Sequence, residues 1–245
     1  MSKFKLIALD LDGSLLQSNL EISATNRHWI KQAEEAGLVV SFATGRGRSS
    51  SIQYWDVVSP QAPMVVANGA EVWRNHDQLL SRHLLPPDAV PRLHKLALEY
   101  DTWYWAHAPE RLVRKDSWAT HYDPQVDWLK FGMSSEDPAV INHLRTLVEG
   151  WSEFEVTASA PTNIEIMKKG ISKASGLAEV AQILEIEPSE IVAIGDSLND
   201  LEMIKWAGFG VAMGNAEPSI KAVADHVTGT NNEDGVAQAI KLVLE

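Results

Sequence analysis

Cysteine is absent from the 245 residues, so disulfides and thiol chemistry are ruled out. That absence suits a reducing cytosol, and a cytoplasmic location is the expectation. Long apolar runs are missing too. No stretch approaches the roughly 20 residues needed to cross a bilayer, and the opening MSKFKLIALDLDG has no apolar signal-peptide core. Basic charge is scarce: 21 Lys and Arg stand against 33 Asp and Glu, a formal net charge of −12. Nucleic acid and anionic membrane both need a basic surface, so neither is expected as a main partner. A small anionic substrate is not excluded, because a metal and a few local cations can hold one. The eight histidines show no metal-ligand spacing, and His107 and His121 either face a cleft or take surface positions, the latter favoured. There is no internal repeat and no low-complexity linker.

What is present is ordinary core material, 45% hydrophobic and 22% charged, enough for one large domain or two smaller ones. The chain is organised around Leu6-Ile-Ala-Leu-Asp10-Leu-Asp12-Gly-Ser14. Its apolar start reads as a buried strand, Phe4 to Leu9. Two carboxylates follow, one residue apart. A period of two sends them to the same side while the strand lasts, and like charges that close require compensation. Magnesium, which prefers carboxylate oxygens, is the candidate.

Ser23 to Gly37 then reads as a helix with Ser23 as N-cap. Leu38 to Ala43 is a strand ending in Thr44-Gly45-Arg46, Arg48 to Val57 a serine-rich helix, and Met64 to Ala67 a strand ending in Asn68-Gly69-Ala70. Strand–helix alternation predicts right-handed crossovers and a parallel sheet, with ligands bound at the C-terminal strand edge. Between about Leu84 and Met167 the pattern changes to helices at 87–100 and 137–149 and strands at 102–106, 128–133, 154–158 and 163–167. After Gly170 the first pattern returns. A helix spans Ser172 to Leu184, and a strand at 191–194 ends in Gly195-Asp196-Ser-Leu-Asn199-Asp200. A helix at 201–207, strands at 210–213 and near 226–227, a short helix from Pro218 and a last helix at 233–244 follow. The fold class is α/β: a doubly wound, Rossmann-like parallel-sheet core of 1–83 and 169–245, with a smaller α+β unit of 84–168 inserted.

If the strands before Asp10 and Asp196 are neighbours, up to four carboxylates meet at one edge. A divalent cation is then needed. Thr44 stands at the same edge. Lys173, in a first helical turn, offers a charge beside the helix's positive end. Metal, anion cradle and carboxylate nucleophile are the parts of phosphoryl transfer through an aspartyl phosphate. Some residues keep two readings. Asp200 supports a metal or N-caps the next helix. Thr44 binds phosphate or caps a turn. Arg46 contacts substrate or pairs with a carboxylate, and Asn68 binds substrate or makes the turn before Gly69.

DLDGSLL at 10–16, ATGR at 43–46, KGISK at 169–173 and GDSLND at 195–200 resemble, in order and spacing, the four motifs of haloacid-dehalogenase-superfamily phosphatases. The insert lies where the Cof-type subfamily carries its α/β cap, and NGA at 68–70 and GNA at 214–216 recur in that subfamily. The resemblance implies Asp10 as nucleophile and Asp12 as general acid and then base. It implies Mg2+ held by Asp10, the Asp12 carbonyl and Asp196, with Asp200 in support. Thr44, Gly45, Arg46, Lys173 and Asn199 would bind substrate or phosphate. Ser14 stands where the family usually has Thr, and Ala-Ser-Gly after Lys173 where it more often has Gly first.

The implied activity is hydrolysis of small phosphorylated metabolites, sugar phosphates first, by a monomer or small homo-oligomer. A phosphomutase using the same aspartyl phosphate, or a catalytically silent metabolite-binding protein, remains open. In the insert, Trp103, Trp105, Trp118, Trp128 and Trp151 either line a substrate pocket or fill the insert's own core, the latter favoured. Arg111, Arg114 and Lys115 form a basic cluster that could meet a second anionic group.

Overall fold

The computed structural model describes residues 3–245. In chain order the regular elements begin with β1 (Leu6–Leu9), α1 (Ala24–Glu35), β2 (Val39–Ala43), α2 (Arg48–Ser51), β3 (Met64–Val66), β4 (Glu71–Trp73) and β5 (Leu79–Arg82). The middle of the chain supplies α3 (Ala89–Glu99), β6 (Trp103–His107), β7 (Leu112–Arg114), α4 (Trp118–His121), β8 (Lys130–Ser134), α5 (Pro138–Glu149), β9 (Phe154–Thr157) and β10 (Asn163–Lys168). The remainder is α6 (Lys173–Leu184), β11 (Ile191–Gly195), α7 (Leu201–Trp206), β12 (Phe209–Ala212), α8 (Pro218–Lys221), β13 (His226–Val227) and α9 (Gly235–Leu244).

Eight strands form one sheet in the order β13-β12-β11-β1-β2-β3-β4-β5. From β13 to β3 every pairing is parallel. β1 lies between β11 and β2, with Leu9 level with Ile194 and Phe42. All four β1 residues are buried, which fits a strand covered on both faces. Ile7 and Leu9 pack on one side with Ile30 and Ala33 of α1 and Val236 and Ile240 of α9. Leu6 and Ala8 pack on the other with Leu177 and Val180 of α6 and Met203 of α7.

β4 and β5 extend the expected parallel core with an antiparallel hairpin at one edge, which the sequence pattern does not predict. Their short, partly polar sequences gave no apolar run; Glu71 instead pairs with Arg82 across the hairpin at 2.6 Å. The helix expected over 48–57 breaks after Ser51 into a 3-10 segment, Ile52–Val57. The Ser50 hydroxyl donates to the Gly47 carbonyl and the Ser51 hydroxyl to that of Arg48, local side-chain bonds that compete with a regular helix.

The second sheet is antiparallel, ordered β7-β6-β8-β10-β9, and lies between the two chain segments that build the first. β7 falls within a stretch that reads as polar loop. Tyr104, Ala106, Phe131, Met133, Ile164 and Ile166 face α3 and α5 and share a core with Leu93, Leu96, Ile141 and Leu144. The alternate positions, His107, Lys130 and Glu165, therefore lie on the opposite face.

Candidate active site

β1, β11 and β2 end side by side, so their C-terminal residues converge. Gly13 takes a φ of +77°, and a Cβ there would collide with the Asp196 carboxylate. Glycine thus lets the two acidic loops close on each other. Asp10, Asp196 and Asp200 each offer an oxygen to a common point, all within 4.8 Å of one another.

Lys173 compensates this charge. Ser172 N-caps α6, accepting from the Ser175 amide, and so sets Lys173 in the first turn. The fully buried ammonium donates to Asp10 and Asp200, at 2.6 Å each. Burial alone would lower the lysine pKa, but the two carboxylates outweigh it and push it up. Burial holds the Asp10 pKa well above the usual carboxylate range despite Lys173. Asp196 is pushed up to about 7, by burial first and by the Asp200 charge second.

The free atoms tell the carboxylates apart. Asp10 Oδ2 and Asp196 Oδ1 are buried with no hydrogen-bond partner. Asp200 is engaged at both oxygens, Oδ1 by Lys173 and Oδ2 by the Asp196 and Ser197 amides. It organises the loop, and its side chain makes no cap to α7, although it stands at the N-cap position. Two neighbouring carboxylates with raised pKa values, each keeping an unpartnered buried oxygen, fit a hard divalent cation. The Asp12 carboxylate lies outside that group and is gripped by Arg46 at 2.7 and 2.6 Å. Of the two readings of Arg46, the carboxylate pairing is the one observed.

Thr44 is fully buried and its hydroxyl accepts from the Arg46 amide at 3.1 Å, which leaves its proton to donate. Asn199 Nδ2 donates to Asn68 Oδ1 at 3.2 Å. A cavity of about 400 Å³ opens beside these groups; Asp10, Asp12, Gly45, Arg46 and Asn199 line it from the larger sheet. That volume suits a small ligand. Lys173 lines a separate cavity of about 270 Å³, with Asn68 and Asn199.

The smaller sheet supplies the roof of the first cavity: His107, Arg114, Lys130 and Glu165 line it. His107 is buried, a correction to the expected surface position, because β6 ends against Gly47 of the core. His121 is exposed, as expected. None of the five insert tryptophans lines the cavity. Trp118 and Trp128 stack with Tyr122 in the insert's own core, and Trp103 is exposed. Lys115 is tied to Asp101 and the Thr102 carbonyl, so of the basic cluster only Arg114 reaches the cavity. Lys130 and Glu165 escaped the sequence reading. The signal was there, a charge between apolar neighbours in Trp128-Leu-Lys130-Phe and Ile164-Glu165-Ile166.

Among the described residues, no helix is long and apolar enough to cross a membrane. The family profile of haloacid dehalogenase-like hydrolases matches residues 7–142 and 119–240. The Bacillus subtilis 5-amino-6-(5-phospho-D-ribitylamino)uracil phosphatase YcsE is 39% identical over 240 residues, covering 97% of this chain and 94% of its own length. YitU of the same organism, named for the same activity, is 33% identical over 259 residues, covering 96% of each. A solved B. subtilis haloacid dehalogenase-like hydrolase superposes with a TM-score of 0.89 at 25% identity, over 97% of this chain and 99% of its own.

Proposed function

The chain belongs to the haloacid dehalogenase-like hydrolases and is a phosphatase; from that premise we propose that it is Mg2+-dependent, forms an aspartyl phosphate on Asp10, and hydrolyses small phosphorylated metabolites. The observation that carries the reading is the pair of unpartnered oxygens, Asp10 Oδ2 and Asp196 Oδ1, beside the Lys173 ammonium. Those two carboxylates, with the Asp12 carbonyl, would hold the ion, and Asp200 would fix their loop. Bound there, the ion neutralises phosphoryl charge.

The chain's own groups account for the remaining steps. An Asp10 carboxylate oxygen attacks phosphorus, and the bond to the leaving oxygen breaks. Asp12 gives that oxygen its proton. The Lys173 ammonium and the Thr44 hydroxyl hold phosphoryl oxygens. Asp12, now ionised, takes a proton from water, which attacks the aspartyl phosphate and releases phosphate. The insert, taken as residues 84–168, acts as a cap that excludes bulk water and selects the leaving group.

Sugar and alditol phosphates are the substrate class favoured here. The two B. subtilis relatives above are named for a substrate with a phosphorylated ribityl chain, and the cavity lining is polar with Leu112 as its large apolar side chain. The test is phosphate release by the purified protein from D-ribitol 5-phosphate with and without Mg2+. The expected result is metal-stimulated turnover that Asp10→Asn abolishes. Release that requires a bisphosphate activator would instead favour a mutase, and none under any condition a binding protein.

A further inference from the structure

We infer that Lys130, Glu165 and His107 form the leaving-group subsite, and that they select substrates whose leaving group presents uncharged O–H or N–H donors together with acceptors. The inference rests on the phosphatase reading above and deepens it.

The three side chains lie on one face of the smaller sheet. His107 stands directly opposite Lys130 across the β6–β8 ladder, and Glu165 opposite Gly132 on the β8–β10 ladder. All three are buried yet line the cavity that holds Asp10 and Asp12. A buried charged pair in a cap wall is costly, and apolar residues of similar size would serve packing as well. Its presence calls for a polar occupant.

The groups are also pre-positioned from the core. Lys130 Nζ donates to the Gly45 carbonyl at 2.6 Å and to Glu165 Oε2 at 3.0 Å. Glu165 Oε2 accepts in addition from Asn68 Nδ2. Asn68 adopts a left-handed backbone, φ 56°, and passes the link on to Asn199. The pair is therefore fixed to the two core loops, 44–46 and 195–200, that carry the phosphoryl-binding groups. Preorganisation of this kind lowers the ordering cost of binding.

What these groups leave unengaged defines the ligand. Lys130 has three N–H donors and two acceptors, so one proton is free. Glu165 Oε1 has a single long contact, Ser159 Oγ at 3.4 Å. The His107 ring nitrogens have no hydrogen-bond partner among the described residues. Burial, and the Lys130 and Arg114 charges, hold its pKa well below the usual value, so it presents one donor and one acceptor. An ammonium proton, a carboxylate oxygen and a neutral imidazole match an alternating donor–acceptor chain, the pattern of a polyol or an amide-bearing ring. A hydrophobic aryl group satisfies none of them.

The test compares two substrates, D-ribitol 5-phosphate and p-nitrophenyl phosphate, in wild type, Glu165→Gln, Lys130→Met and His107→Phe. The expected result on the ribitol ester is a loss in kcat/KM of about 10- to 100-fold for the Glu165 and Lys130 variants, the scale of a lost hydrogen bond to a charged group, and of about 5- to 10-fold for His107→Phe, whose imidazole is neutral. On the aryl ester the loss is about threefold or less. A double variant, Lys130→Met with Glu165→Met, removes the pair without stranding a charge and reports should a single variant fail to fold. Equal losses on both substrates, or none, overturn the inference and leave the phosphatase reading standing. A wild type inert toward both esters overturns that reading and the inference together.

Discussion

Arg46 Nε and Nη2 donate to the two carboxylate oxygens of Asp12, at 2.7 and 2.6 Å. The residue proposed as general acid is thus clamped, before substrate arrives, by the arginine of the neighbouring loop. In the proposed mechanism one Asp12 oxygen exchanges that partner for the leaving oxygen, so the clamp would both orient Asp12 and compete with that role. The Asp12 side chain is 49% exposed, and such pairs contribute about 0–1 kcal/mol to stability. Arg46→Met is therefore expected to leave the thermal midpoint nearly unchanged. Its kcat should fall about tenfold or more, part of the acid–base contribution. Steady-state kinetics alongside a thermal melt will decide it.

Lys173 is the counter-charge of the whole site. Replacing it with methionine strands Asp10 and Asp200 in a buried setting. Removing one partner of a buried ionic cluster costs about 3–5 kcal/mol. The expected outcome for Lys173→Met is a clearly lowered urea midpoint together with loss of turnover. An unaltered midpoint would mean that the carboxylates are neutralised by other means.

Metal binding has a readout that needs no substrate. A ligand that binds only the folded state adds stability that grows with the logarithm of its concentration, about 2.7 kcal/mol at 100 times Kd. Mg2+ is expected to raise the thermal midpoint of the wild type in a concentration-dependent way, and EDTA to reverse it. In Asp196→Asn, which loses one of the two unpartnered oxygens, the rise should shrink or vanish.

His107 makes stability depend on pH. In the folded protein its pKa lies well below 6.5, from burial first and the Lys130 and Arg114 charges second. Asp10, Asp12 and Glu165 are the carboxylates that line the same cavity, and each already faces a cation. Once pH drops below about 6.5, the unfolded chain takes up a proton that the folded one refuses, so stability falls with falling pH. Denaturant melts of wild type and His107→Gln at pH 7.5 and 5.5, both in saturating Mg2+, should show a smaller loss in the variant. Identical losses would show that other groups carry the dependence.

Arg114 reaches the cavity while Lys115 is held by Asp101. Arg114→Ala is expected to raise KM severalfold for a substrate with a second anionic group, with kcat unaltered. No rise would remove Arg114 from substrate contact.

Much of this was legible in one dimension, for reasons that differ by residue. Asp10 and Asp196 sit where a strand ends and Lys173 where a helix begins, and Ser172 caps α6 as its type predicts. Local rules therefore placed them. The β4–β5 hairpin and β7 were not legible, because strands of three or four partly polar residues carry no period strong enough to read. Sequence alone left the insert's tryptophans between a pocket and a core, the core favoured, and packing put Trp118 and Trp128 in the core and Trp151 against it, while Trp103 is exposed.

The sequence by itself determined the chemistry at the strand ends: two acidic loops, a lysine in a first turn and the order in which they recur. Each depends on contacts within a few residues, which local geometry dictates. The tertiary structure alone decided how each carboxylate is engaged. Asp200 is saturated by Lys173 and two amides, Asp12 is clamped by Arg46, and free oxygens remain on Asp10 and Asp196. It also brought Lys130, Glu165 and His107 to the roof of the cavity. Apart from the two amides, four and three positions from Asp200, those relations join residues dozens of positions apart or more, and a hydrogen bond across that separation exists only once the sheets have packed.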